Sequence, residues 1–554
     1  MMLVSTAGVS WSAGCSPSAP PGDDGNGDVP SGDPVTNENV AEFVGALDRT
    51  VATAIEGVLA DPTLFEAKQR ESGVAKIGPN RAEVGGVRGR VLADGLRFGT
   101  FWPPRFELSL TFEDYEGADG LALNGTVEYN FVRDDRAVPP LEFGLQSGIL
   151  TISGRFGGEV NVQSAIVGAE RSTSVITAAG AVLQVGTLQR PGFLTYVSTI
   201  AGTGEVGLRD GAADQAMFNY PTGIALDDDG RIYVADNRNG AIREIDLDGT
   251  VSTVTTNVQE PYDLGFDSKG KLVVSDRLGG GHGVDESPLI RLVVRGDDRG
   301  TITPMMLGGE DPFSSFPLCT QRFQYSCDGR SPLNAMPWAT GIDVRNQSVL
   351  VAQWALGAGL KLVLPDGYLM TILDLGQLTT FTCDETYPGS PSDLVQGNNG
   401  EIYYTTGCHA VRVFETDGTV RTLAGRLQKT LEFADGVGDD ARFAYPEGLV
   451  FDGERYLFVA DASNGLIRRV DVETGAVVRV AGCVAHTEGL ECDPDLAVRD
   501  GVGDHARFHG PQNIAFDKWG DLYVAEAPAN VIRLVRILAD PDRTPSVHRF
   551  DPAV

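Results

Sequence analysis

A unit of three short strands recurs six times in the second half of this chain, and no other feature restricts its fold as much. The copy at 443–470, FAYPEGLVFDGERYLFVADASNGLIRRV, shows the grammar. Pro446 opens a strand carrying Leu449, Val450 and Phe451; Asp452-Gly453 turns; Tyr456 to Ala460 form a buried strand; Asn464-Gly465 turns again into Leu466 to Val470. The six openings are PTGIALD at 221, PYDLGFD at 261, PWATGID at 337, PSDLVQG at 391, PEGLVFD at 446 and PQNIAFD at 511. An acid follows the proline by six places in five copies (Asp227, Asp267, Asp343, Asp452, Asp517), and Gly397 takes its place in the other. The second strands end at Asp236, Asp276, Gln353, Thr406, Asp461 and Glu526, and a basic residue then enters the third: Arg243, Arg291, Lys361, Arg412, Arg468, Arg533. Such a unit cannot bury both faces alone, so a fixed period of this kind predicts an array of blades.

A fourth strand follows most copies, as in VSTVTT at 251, VRTLAG at 420 and VVRVAG at 477. The last copy instead runs into ADPDRTPSVHRFDPAV. Its missing strand has a candidate at the other end of the array, within Phe193–Gly202, and such an exchange closes a ring and removes open edges. The expected architecture is mainly β: a six-bladed propeller over 193–538 with a tail at 539–554. On these residues the chain resembles the NHL-repeat family of β-propellers, most clearly in copies one, five and six. Those copies share a preceding segment, DGAADQAMFNYP, DGVGDDARFAYP and DGVGDHARFHGP, with Asp210, Asp435 or Asp500 eleven places before the proline. Its Asp and Gly fit a turn and its Ala and Phe a seam plug between blades. The Arg seven places after Asp236, Asp461 and Glu526 fits an ion pair across one hairpin.

In a four-stranded blade, the loops between blades share a face with the turn between strands two and three. Nearly all irregular sequence falls there, in the inserts 277–288, 308–336, 376–390, 425–445 and 483–510, whereas turns of the opposite face, such as DDDG and DKWG, are minimal. Function is expected on the elaborated face, because loops on a rigid scaffold usually carry it. Trp338, Trp354, Tyr387, Phe313, Phe316 and Tyr325 belong to its loops. They fit either an aromatic rim for a protein, peptide or glycan ligand, or blade-edge packing.

Residues 36–192 read as a separate α+β domain. Val40, Phe43, Val44, Leu47, Val51, Ile55, Val58 and Leu59 recur at helical spacing, with Thr36 or Asn37 as cap and Asp61-Pro62 as stop. The period then becomes two: Phe106, Leu108, Leu110 and Phe112 alternate with polar residues, and Gly157-Gly158 predicts a hairpin turn. An antiparallel sheet with one covered face follows. This domain shows no catalytic constellation.

Formal charge is −32, so no broad basic surface is available for phosphates and nucleic acid is not an expected partner. Residues 1–14 with Cys15, MMLVSTAGVSWSAGC, resemble a bacterial lipoprotein signal with Cys15 lipidated, which implies a cell-envelope location and membrane attachment through a lipid anchor alone. Residues 15–35, rich in Pro, Gly, Ser and Asp, are a tether. Six cysteines remain, allowing fifteen connectivities. Nearness in sequence favours Cys319/Cys327, Cys383/Cys408 and Cys483/Cys492, and their spacing fits no CxxC zinc site.

An enzyme is the competing class. His282, His409 and either His505 or His509 fall near alternate copies on the elaborated face, and three histidines there suit a catalytic zinc. The peptide-amidating lyases, which are NHL-like propellers, use such a set, but with each histidine directly after the proline of the first strand. Here that position holds Thr222, Tyr262, Trp338, Ser392, Glu447 and Gln512. Lactonase-like propellers hold calcium with axial acids and amides, and no axial set stands out from the six copies. The expectation is therefore a binding protein without a cofactor, with a zinc- or calcium-dependent lyase or lactonase on the same face as the alternative.

Overall fold

In the computed structural model the described residues lie within 33–59, 74–185 and 193–539. Inside those spans 277–288, 305–338, 376–382, 384–388, 484–497 and several shorter stretches are not described. Cys15, Cys319, Cys327, Cys492, His282, Trp338, Tyr387, Phe313, Phe316 and Tyr325 therefore lie outside the described residues.

The repeats fold as a mainly-β propeller. Five blades are contiguous. Blade one comprises Pro221–Leu226, Ile232–Asp236, Ala241–Ile245 and Thr250–Thr255. Blades two, three, four and five begin with inner strands Pro261–Phe266, Ala339–Arg345, Pro391–Gln396 and Pro446–Phe451. Each adds three further antiparallel strands in chain order toward the rim. The last repeat supplies Pro511–Phe516, Leu522–Glu526 and Val531–Ala539, and Leu194–Ala201 pairs with Val531–Ala539 as the outer strand. Six repeats thus resolve into five contiguous blades and one composite closing sheet. The composite arises because the first strand of the array and the last three have no other edge to satisfy. Inner strands neighbour one another in chain order, and the inner strand of the closing sheet returns to that of blade one.

Stability comes from seams between blades rather than from one central core. Tyr523, Ile532 and Leu534 of the closing sheet pack with Ile224, Val234 and Ile245 of blade one, and similar clusters fill the other seams. Fully burying side chains of this size is worth about 1.5–3 kcal/mol each, so the ring depends on each blade keeping its neighbours.

N-terminal to the ring, helix α1 (Val40–Leu59) lies on a ten-stranded sheet whose strands reach 14 residues. The helix start is a reciprocal cap: Thr36 O accepts from Val40 N at 2.9 Å, while Asn39 Oδ1 accepts from Thr36 N at 2.7 Å. Phe43, Val44 and Leu47 of the helix share a core with Leu110, Phe131 and Val162 of the sheet. Two boundaries differ from expectation. The strands Leu141–Gly154 and Phe156–Val167 pair antiparallel, and Gly157-Gly158 lie within the second strand, where Gly158 faces Ile152. Phe156 is buried edge-on against Phe43 at 5.4 Å, which fixes the strand start ahead of the glycines. The tether is also shorter than expected, since Asp33–Pro34 pair with Phe156–Gly157 and Val35 is buried. A small cluster of Val132, Leu194, Tyr196 and Leu538 joins this domain to the closing sheet.

Candidate functional site

At the axis the six inner strands converge, and the third residue of each decides how closely. Around the ring these are Gly223, Asp263, Gly341, Asp393, Gly448 and Asn513, glycine alternating with an acid or amide. A Cβ on Gly341 would stand 2.1 Å from Asp393 Oδ1, and one on Gly448 would stand 2.6 Å from Asn513 Cα. Each glycine therefore makes room for the acid or amide of the next sheet.

Those side chains tie the sheets together. Asp263 Oδ2 accepts from Ile342 N of blade three at 2.7 Å, and Asp393 Oδ2 accepts from Leu449 N of blade five at 2.9 Å. Asn513 Nδ2 donates to Asp263 Oδ1 at 2.7 Å, spanning blade one. Burial pushes Asp263 up to about 7, against the pull of its backbone N–H donors. Burial and then the Asp263 charge push Asp393 well above the usual carboxylate range. Two buried acids in one axial floor are a cost that the sheet-to-sheet hydrogen bonds offset.

Above this floor, on the face of the inter-blade loops, lies a small depression of about 10 Å³, room for roughly one water. It is lined by Thr222, Tyr262, Thr340, Ser392, Asp393, Glu447, Gly448, Gln512 and Asn513. Five of these directly follow an inner-strand proline, the position where the histidines of an amidating-lyase-like site would stand. Gln512 Nε2 donates to Tyr262 Oη at 3.2 Å, bridging part of the mouth. Sequence reasoning had noted these positions only for what they lack. The alternation of Gly with Asp or Asn was visible in five copies two places after the proline, but the third is displaced, with Gly341 four places after Pro337.

Among the described residues the histidines do not come together, and His282 lies outside them. His409 is buried, its Nδ1 accepts from Tyr445 N at 3.0 Å, and its ring packs edge-on against Tyr445 at 4.6 Å. Burial lowers its pKa. Its backbone is left-handed at φ 68°, as is that of Asn530 at φ 58°, whose Oδ1 accepts from Tyr220 N at 2.9 Å in the corresponding turn. His409 is thus a seam bracket. His505 and His509 are exposed on the segment before the closing sheet, and none of the three lines the depression. Among the described residues no three His, Cys, Asp or Glu side chains form a metal-binding group. Cys383 and Cys408 are disulfide-bonded, joining the approach to blade four to the turn after its second strand. Cys483 is also disulfide-bonded, its partner lying outside the described residues. Trp354 is exposed at the end of the second strand of blade three, and the depression does not include it.

A second constellation repeats three times. The fully buried Arg243 donates from Nη1 to Asp236 at 2.9 Å and from Nη2 to Asp210 at 2.7 Å. It also donates to the carbonyls of Met217 and Arg209. Arg468 does the same with Asp461, Asp435, Arg442 and Ala434, and Arg533 with Glu526, Asp500, Arg507 and Arg499. Phe218, Phe443 and Phe508 lie beneath the guanidinium groups at 5.0–5.2 Å. The hairpin ion pair and the aromatic seam plug were legible in sequence. The Asp of the preceding segment was read as part of a turn, whereas it is the second carboxylate on the same Arg and binds the outer strand, as Asp210 does at Thr253 N.

The ring of sheets and its axial mouth define a β-propeller. The profile of the NHL repeat matches residues 218–245, which span the first three strands of blade one. Similar proteins include NHL repeat-containing protein 2 of Bos taurus, 26% identical over 334 residues, covering 59% of this chain and 32% of that protein. Another is protein SUPPRESSOR OF QUENCHING 1, chloroplastic, of Arabidopsis thaliana, 27% identical over 297 residues, covering 50% of this chain and 27% of that one. The chain carries an NHL repeat in blade one, and it spans about a third or less of the length of these curated relatives. Among solved structures, an auxiliary nutrient binding protein from Bacteroides ovatus is 15% identical with a TM-score of 0.46, covering 74% of this chain and 94% of that one. A gluconolactonase from Xanthomonas campestris is 12% identical with a TM-score of 0.38, covering 62% and 90%.

Proposed function

We propose that this chain is a ligand-binding propeller of the cell envelope, lipid-anchored through Cys15, which takes a protein, peptide or glycan group into the axial mouth of its loop-rich face. One observation carries the reading: polar side chains from separate inner strands converge on one depression on that face. Small-ligand sites favour concave places where a few polar groups converge on a rigid frame. The Cys383–Cys408 disulfide supports an exported setting, because such bonds persist in oxidising compartments. The propeller fold itself does not fix function. Fluorescence titration of the purified chain with peptide digests and oligosaccharide mixtures tests the reading. A saturable change that Gln512→Ala abolishes is expected; flat titrations, or changes indifferent to that substitution, would reject it.

A metal-dependent lyase or lactonase on the same face is the second reading, and the axial oxygens of Asp263, Asp393 and Asn513 are what favour it. Both carboxylate oxygens of each Asp already accept backbone or side-chain N–H groups. Stoichiometric calcium or zinc in chelator-washed protein would move the assignment to this class.

A further inference from the structure

The segments before blade one, blade five and the closing sheet form three like straps, and one slot in them is filled in three ways. In the first strap it holds Met217, which lies against Gly207: a Cβ there would stand 3.1 Å from its Sδ. In the second it holds Arg442, whose Nε donates to Glu432 Oε2 at 3.2 Å and whose Nη1 donates to the carbonyls of Asp439 and Ala441. In the third it holds Arg507, and the sequence has Ala497 in the place of Glu432. Arg507 Nη1 is sealed from solvent, and among the described residues no hydrogen bond or ion pair reaches its guanidinium. Arg499 stands directly opposite, since Arg507 N donates to Arg499 O at 2.9 Å and Arg499 N to Arg507 O at 3.1 Å. Its side chain is exposed and also has no partner among the described residues. Side chains paired in this way leave the same side of the strap, and like charges there repel. The acids of the strap are engaged elsewhere: Asp500 accepts from Arg533 and Thr199, and Asp504 lies 3.7 Å from His505.

We propose that Arg507 and Arg499 form a binding site for one carboxylate group. A guanidinium N–H held from water without an acceptor costs free energy, and an incoming oxyanion removes both that cost and the repulsion between the two arginines. The planar fork of each guanidinium matches the two oxygens of a carboxylate. A net charge of −32 opposes the approach of a polyanion, so a singly charged group on a peptide or a sugar acid fits better than a polyphosphate or a nucleic acid. The site is separate from the axial mouth, which neither arginine lines, and it does not depend on the reading of that mouth.

Saturation-transfer NMR on the full chain, at neutral pH and matched ionic strength, tests this with three probes: Nα-acetyl-glutamate methylamide, glucuronate and the neutral Nα-acetyl-glutamine methylamide. Saturable transfer to a carboxylate probe is expected, with none to the glutamine probe. Arg507→Met and Arg499→Ala should each weaken it at least about fivefold, as the loss of a charge-assisted hydrogen bond does. Transfer to the glutamate probe alone would assign the carboxylate to a peptide, to glucuronate alone a sugar acid, and to both a site that reads only the carboxylate. No transfer to either carboxylate, equal transfer to the glutamine probe, or binding indifferent to Arg507→Met would overturn the proposal. Displacement by inorganic phosphate more readily than by acetate would overturn the carboxylate assignment. Arg507→Met reproduces the residue of the first strap, so its thermal unfolding midpoint should equal or exceed that of the parent chain. A lower midpoint would show that the strap itself uses the guanidinium, and would equally overturn the site.

Discussion

The three seams that lead into blade one, blade five and the closing sheet are built alike, and the seams into blades two, three and four are not. In the first group a strap carries Asp, Ala and Phe before the inner-strand proline, and a buried Arg grips both the strap and its own hairpin with bonds of 2.7–3.0 Å. In the second group parts of the device are replaced. Val258 stands where Phe218, Phe443 and Phe508 stand, and Asp276 still accepts from Gln259 N and Glu260 N ahead of Pro261. Gln353 and Thr406 take the acid's place, the buried Lys361 donates to Thr371, and a disulfide secures the approach to blade four. A repeat keeps its spacing, then, while the means of sealing it varies.

The sharpest way to break this comparison is to remove an arginine. Arg468→Ala leaves Asp461 buried and unpaired, and breaking such a pair costs about 3–5 kcal/mol. Chemical denaturation should show that loss; an effect below about 1 kcal/mol would mean the guanidinium is a passenger in an apolar seam.

The disulfide should come next. Cys383→Ser with Cys408→Ser opens a closure across a sequence separation of 25, worth about 3 kcal/mol by chain entropy. The loss should localise: hydrogen exchange should rise around 389–410 and stay unchanged in blade one. Uniform loosening would show that blades two to four share the cooperativity of the strapped seams.

At the axis, Gly341→Ala should cost about 1–3 kcal/mol by overpacking against Asp393. The acids beneath add a pH dependence with a defined sign. Asp263 sits near 7 in the fold, against about 3.9 in an unfolded chain. The folded state therefore holds its proton more tightly, and stability falls as pH rises between those values. Asp263→Asn should flatten that slope between about pH 4 and 7, read from denaturation midpoints at several pH values. An identical slope in the variant would place the titration elsewhere.

Much of this fold was legible because it rests on local rules. Pro446, the Asp452 turn and the Asp461–Arg468 pair each announce themselves within a few residues. The missing outer strand was legible for a different reason, since a ring with an open edge is unfavourable and Leu194–Ala201 was unpaired at the other end. The axial floor was harder. Asp263, Asp393 and Asn513 meet only when the ring closes, Asn513 and Asp263 being 250 residues apart, and the shifted third copy broke the alternation. His409 misled for the opposite reason: its residue type suggests a ligand, but its left-handed backbone and its bond to Tyr445 N give it the work that Asn530 does elsewhere.

The smallest effect should sharpen the comparison within a single arginine. Arg468 reaches Asp461 in the interior and Asp435 at a site where that carboxylate remains 45% exposed. Solvent screens the outer contact, and pairs of that kind are typically worth about 0.2–1 kcal/mol. Asp435→Asn keeps the shape and a carbonyl acceptor for Arg479 N, so the loss should stay under about 1 kcal/mol and shrink further in 1 M salt. The Arg468→Ala loss, by contrast, should barely respond to salt, because its cost lies in an unpaired charge that counterions cannot reach. Parallel denaturation series at low and high salt would separate the two. If both losses fell together, the strap carboxylates would share one electrostatic unit with the hairpin acids, and the strapped seams would be held by long-range charge rather than by a buried Arg.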